Sequence, residues 1–123
     1  MVYIKQFFLS LTYALRGIWY VFRNEQNFRF QLITAVIVGI LAWYFPLSDF
    51  ERLLIFLVIT LVLILELMNS AIEKFTDIVK PRLHQHVRVV KDIMAGTVLI
   101  ASSGAVILGL IIFIPHIIEI LGQ

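Results

Sequence analysis

The sequence predicts a small all-α integral membrane protein, with an N-terminal amphipathic helix lying in the membrane interface and three transmembrane helices behind it. Three observations carry this reading. Of the 123 residues, 61% are hydrophobic and only 15% charged, well outside the balance of a soluble domain, and mean hydropathy is +0.98. The apolar residues come in membrane-length runs. All but one of the Lys and Arg residues fall on the same side of those runs.

The N-terminal segment, about 5–24, repeats Phe7, Leu11, Ala14, Leu15, Ile18 and Phe22 at helical intervals, with Gln6, Ser10, Tyr13, Arg16 and Tyr20 on the other side. A basic, aromatic-rich amphipathic helix is expected to lie along a membrane surface rather than cross it. A polar collar from Arg23 to Arg29 follows. The first span, about 28–47, has only Gln31 and Thr34 as polar residues between Phe30 and Phe45, and closes on Trp43-Tyr44-Phe45-Pro46, a boundary signal. With part of the collar it reaches about 20 residues, enough for roughly 30 Å of hydrocarbon.

Leu47 to Arg52 is short and demands an antiparallel return. The second span, about 52–78, supplies it, its apolar run from Leu53 to Leu65 broken only by Thr60. Pro81 pushes its predecessor out of the helical region, so Lys80 to Lys91 is expected to be a basic connection. The third span, about 92–118, carries no charge from Ile93 to Ile114, and Pro115 and Glu119 mark its far end. Ala101, Ala105 and Gly109 form a small-residue stripe that lets another helix approach closely.

Lys5, Arg16, Arg23, Arg29, Lys74, Lys80, Arg82, Arg88 and Lys91 precede the first span or surround the second connection, and only Arg52 lies in the first connection. The basic side is expected to be cytoplasmic, which places the C-terminus outside. The absence of Cys excludes disulfides, thiolate metal sites and Cys catalysis. No cleavable signal is expected at the N-terminus. No Gly-rich nucleotide loop of the soluble kinases is present.

The chemistry-bearing stretch is Leu65 to Asp77. At about 100° per residue, Glu66, Asn69, Glu73 and Asp77 fall within roughly 80° of arc, so all four share one helix face. Polar groups entering a membrane helix are costly and mark function by default. Glu66 lies roughly 20 Å along the helix from Leu53, inside the membrane but near its cytoplasmic boundary. Glu73 and Asp77 lie further out. A depth gradient of carboxylates suits a reaction joining a lipid alcohol to a soluble charged reagent. Glu25, at the foot of the first span, shares the level of Glu73, and two such carboxylates can hold a Mg²⁺ already bound to nucleotide phosphates. Lys91-Asp92 adds a cation that can neutralise phosphate charge.

Glu66-Leu67-Met68-Asn69-Ser70-Ala71-Ile72-Glu73, then Asp77, and Val90-Lys91-Asp92-Ile93-Met94-Ala95-Gly96-Thr97-Val98-Leu99 closely resemble the two signatures of the prokaryotic diacylglycerol kinase family. Ala14-Leu15-Arg16-Gly17 and Arg23 to Arg29 resemble its surface helix and the start of its first span. The resemblance implies an ATP- and Mg²⁺-dependent lipid kinase of a bacterial cytoplasmic membrane, built as a homotrimer of three-span subunits. Its lipid alcohol would be diacylglycerol or undecaprenol. Glu66 matches the catalytic carboxylate and Asn69 its polar neighbour, both also at the substrate with Ala95. Glu25 and Glu73 match the metal and ATP carboxylates, and Lys91 and Asp92 match nucleotide-contacting residues. Tyr13 matches an aromatic position near the nucleotide, and Arg82-Leu83-His84 the loop over it. Leu83 and Gln6 depart from the Tyr and Arg of the better-known diacylglycerol-specific members, and Glu25-Gln26-Asn27 leans slightly toward the undecaprenol branch.

Two other readings compete. A small oligomeric transporter would use Glu66 as an intramembrane proton or cation site, but has no use for Glu25, Glu73 and Lys91-Asp92 at one level. A helical assembly factor leaves the whole polar column unexplained.

Overall fold

The computed structural model describes residues 2–79 and 84–122. Those residues form four helices: α1 (Val2–Asn24), α2 (Gln26–Tyr44), α3 (Asp49–Val79) and α4 (His84–Leu121). Three of them, from Gln26–Tyr44, Asp49–Val79 and Gln85–Leu121, are long and apolar enough to cross a membrane. The chain is an all-α membrane protein.

α1 and α2 meet at one residue, Glu25, whose extended backbone turns the chain. The carbonyls that end α1 are taken up locally, since helix termini leave four of them without intrahelical donors. Arg29 Nη1 donates to Phe22 O at 3.1 Å and Arg23 O at 2.9 Å, and the Glu25 amide donates to Val21 O at 2.8 Å. Val21 and Phe28 are buried on the two sides of the turn. The rest of α1 lays its apolar side open.

At the opposite end, α3 opens with a reciprocal cap. Ser48 Oγ accepts from the Glu51 amide at 3.1 Å, and Glu51 Oε1 accepts from the Ser48 amide at 2.9 Å, satisfying two orphan donors together. Arg52 donates to Ala42 O and Phe45 O, closing the last carbonyls of α2. The principal apolar core sits there, with Ala42, Leu47, Ile55, Ile112 and Phe113 buried together.

α3 is the spine: α4 packs along it most extensively, then α2, while α2 and α4 make no close backbone approach to each other among the described residues. The gap between them is an apolar cleft of about 310 Å³ that Ala105 and Gly109 line from α4. Ala105 and Gly109 of the small-residue stripe thus face a space shared by three helices of the same chain.

One expectation is corrected. His84 to Lys91 is helical and belongs to α4, because Val87 buries one side of it at 5% exposure and outweighs the basic composition. Pro115 lies inside α4, which continues to Leu121; a proline removes one donor, which is tolerated within a long apolar helix. Pro81, Arg82 and Leu83 lie outside the described residues. At 38 residues, α4 is about 57 Å long, and it and α3 are both longer than the roughly 30 Å of a bilayer's hydrocarbon.

Candidate active site

Ile55, Val62, Glu66 and Ser70 are buried along one side of α3. The last three are spaced four residues apart, the interval that repeats a helix face. Glu66 therefore occupies a core position, and at 2% exposure it is the most completely buried large side chain among the described residues. An ionised carboxylate in such a place requires a donor. Asn27 provides it: Nδ2 donates to Glu66 Oε1 at 2.6 Å, from the first turn of α2. That is shorter than an ordinary amide hydrogen bond to oxygen.

Along α3 the polar column runs from dry to wet. Glu66 is buried, Asn69 and Glu73 are half-buried, and Asp77 is exposed. Glu25 and Glu73 both lie close enough to act on the charge of Glu66. Burial first, and the Glu73 carboxylate second, push Glu25 above the ordinary glutamate value. Glu25 occupies the cap position of α2, yet its side chain makes no capping hydrogen bond. Its oxygens are thus not spent on the helix end. Two all-oxygen donors that repel each other fit a hard divalent cation that keeps its other positions for phosphate. Among the described residues no group of three His, Cys, Asp or Glu gathers around one metal position, so such an ion would rest on the carboxylate pair.

Lys91 Nζ donates to Asp77 Oδ1 at 2.8 Å, fastening α4 to α3 where the column emerges. Glu73 acts on Lys91 as well, so Glu25, Glu66, Glu73 and Lys91 form one electrostatic group. Asp92 and Ala95 are exposed one position and one turn further along α4. Tyr13 stands apart on α1, 59% exposed, with the Arg16 guanidinium over its ring at 5.6 Å. No hydrogen bond or ion pair joins it to the carboxylates among the described residues. Arg82 and Leu83 lie outside the described residues, and of His84 only its helical backbone is described.

Asn27 escaped the sequence reading because it stands in a polar collar, where an amide looks merely solvated. Ser70 and Thr76, buried at 8% and 3%, also went unremarked. Their helical spacing to Glu66 was the available signal for Ser70.

The site is thus a buried carboxylate with two more in electrostatic reach and a lysine where the column emerges, carried on helices long and apolar enough to cross a membrane. Comparison with known proteins specifies it. The family model described as prokaryotic diacylglycerol kinase matches residues 12–113. Undecaprenol kinase of Bacillus subtilis is 38% identical over 93% of this chain and 93% of its own length. A diacylglycerol kinase of Synechocystis is 34% identical, covering 92% of this chain and 65% of that protein. The diacylglycerol kinase of Escherichia coli K12 is 30% identical over 85% of each chain. The chain belongs to the prokaryotic diacylglycerol kinase family, and it is a lipid kinase.

Proposed function

We propose that this kinase transfers the γ-phosphate of ATP to the primary hydroxyl of undecaprenol in a bacterial cytoplasmic membrane, with Glu66 as general base. The observation that carries the proposal is the burial of Glu66 in a core position beside Asn27, with Glu25, Glu73 and Lys91 grouped at the wetter end. That order gives a lipid hydroxyl a dry base and gives a polyphosphate a charged, solvated berth. Phosphoryl transfer asks chiefly for positioning and charge stabilisation, and this layout supplies both. Glu25 and Glu73 would hold Mg²⁺, which when bound neutralises phosphate charge. Lys91 would reach the same phosphates from α4, beside Asp92. Asn69 would hold the lipid headgroup with Glu66 and Ala95, while Tyr13, Arg82, Leu83 and His84 would border the nucleotide.

Undecaprenol is preferred because the relative of that name matches at 38% identity across 93% of both chains. Diacylglycerol is the second reading, favoured by the Synechocystis and Escherichia coli relatives. A homotrimer, with the basic side cytoplasmic, completes the proposal.

The test is purified protein in mixed micelles with labelled ATP, Mg²⁺ and, separately, undecaprenol and diacylglycerol. Faster phosphorylation of undecaprenol is expected. Label in diacylglycerol alone selects the second reading. If ATP and Mg²⁺ label neither lipid while liposomes show Glu66-dependent proton or cation flux, the transporter reading replaces the proposed reaction.

A further inference from the structure

The amide of Asn27 is placed unusually for a residue at a helix start. Asn side chains near helix ends ordinarily bond to neighbouring backbone, as Asn24 does at the end of α1, donating to Tyr20 O four residues back at 2.8 Å. Asn27 instead bonds across 39 residues of sequence, and its partner is the buried carboxylate. Glu66 Oε2 has no hydrogen bond among the described residues, so the contact occupies one carboxylate oxygen and leaves the other to the site. The bond also joins α2 to α3 just beyond Glu25, the N-cap of α2, so one short segment carries both a metal-site carboxylate and the partner of the buried one.

We propose that Asn27 is the positioning residue for Glu66, holding it through both protonation states of the transfer; this rests on Glu66 being the base. Before transfer, the Nδ2 group donates to Oε1 and aims Oε2 at the lipid hydroxyl. In the transfer the lipid O–H bond breaks and its proton passes to Glu66. The lipid oxygen bonds to the γ-phosphorus, and the bond from that phosphorus to the ADP oxygen breaks, its electron pair leaving with ADP. Glu66 is then a neutral acid with its new O–H on Oε2, and Oε1 remains an acceptor. The Nδ2 donor therefore keeps its bond to Oε1 in both protonation states. Leu or Ala at this position lacks the donor altogether, and an ionised Asp offers only acceptors.

The experiment is steady-state kinetics of Asn27→Leu and Asn27→Asp, each in the native and in the Glu66→Gln background, with melting temperatures to establish folding. Losing one part-buried hydrogen bond to a charged group predicts about a 10- to 100-fold fall in kcat. The KM values for ATP and for the lipid alcohol should stay within about twofold, since a positioning residue acts on the transfer and not on ground-state binding. In the Glu66→Gln background either substitution should cost nothing further. Asn27→Asp keeps the size of the side chain and sets acceptor against acceptor, so it should lose turnover even if Asn27→Leu fails to fold. Full turnover in Asn27→Asp overturns the proposal, and so do equal losses in both Glu66 backgrounds, or KM values that rise as far as kcat falls. If Glu66→Gln alone retains native turnover, it is the base assignment that falls.

Discussion

At the residue scale, the site sets a buried carboxylate against two half-buried ones, and their roles separate by how each is held. Glu66→Gln keeps shape and hydrogen bonding but cannot accept a proton. It should lose on the order of 10²–10⁴ in turnover with ATP affinity little changed, which turnover and nucleotide titration measured together will check. Glu25→Ala and Glu73→Ala should each weaken metal-nucleotide binding, because either leaves one carboxylate on the ion. Mn²⁺ titration with a non-hydrolysable ATP analogue reads this directly, and unchanged affinity in both variants removes the pair from the metal site. Acidity gives a further handle. Burial and the Glu73 carboxylate hold Glu25 above its ordinary 4.5, so the folded chain binds this proton more tightly than the unfolded one. The associated stability is complete below 4.5 and is lost as pH rises through the raised value. Metal-free protein should melt at a falling temperature across that window, and Glu25→Gln should flatten the fall. Added Mg²⁺ should restore melting at the upper end. An unaltered slope in Glu25→Gln means another group supplies it.

At the element scale, the spans were legible because a membrane helix announces itself by length and composition, as Ile93 to Ile114 does. The polar column was legible for a related reason: Glu66, Asn69, Glu73 and Asp77 share one helix, and the helical period places them without knowledge of the fold. Asn27 was not, since its partner lies 39 residues away and only the packing of α2 on α3 brings them together. The start of α4 is not legible in the basic run from Lys80 to Lys91, because the burial of Val87 has no signature in charge. The cap of α3 offers a measurement at this scale. Ser48→Ala removes the acceptor for the Glu51 amide and should cost about 1 kcal/mol, seen as a lower melting temperature with catalytic constants unchanged. Lost turnover at native melting temperature would mean that this end of the molecule communicates with the site some seventeen residues along α3 at about 1.5 Å each.

At the scale of the whole molecule, one chain buries little of its apolar surface. Large side chains such as Ile100, Ile111 and Phe56 remain exposed, as suits a protein solvated by lipid or by copies of itself. α3 contacts both α2 and α4, but the flanking helices leave between them the cleft of about 310 Å³ lined by Ala105 and Gly109. Small residues permit a close approach that a larger side chain would block. In the proposed trimer, a helix of a neighbouring copy entering this cleft would be the closest approach available to the stripe. Ala105→Leu would hold that helix away. Crosslinking in detergent should then yield less trimer than the native protein, and turnover should fall along with it, since the misplaced helix lies against the spine that carries Glu66. The cleft can instead hold hydrocarbon, and lipid chains rearrange around one added isobutyl group. An Ala105→Leu protein that crosslinks to a full trimer and keeps native turnover would show that the stripe serves lipid, and that any contact between copies lies on another face.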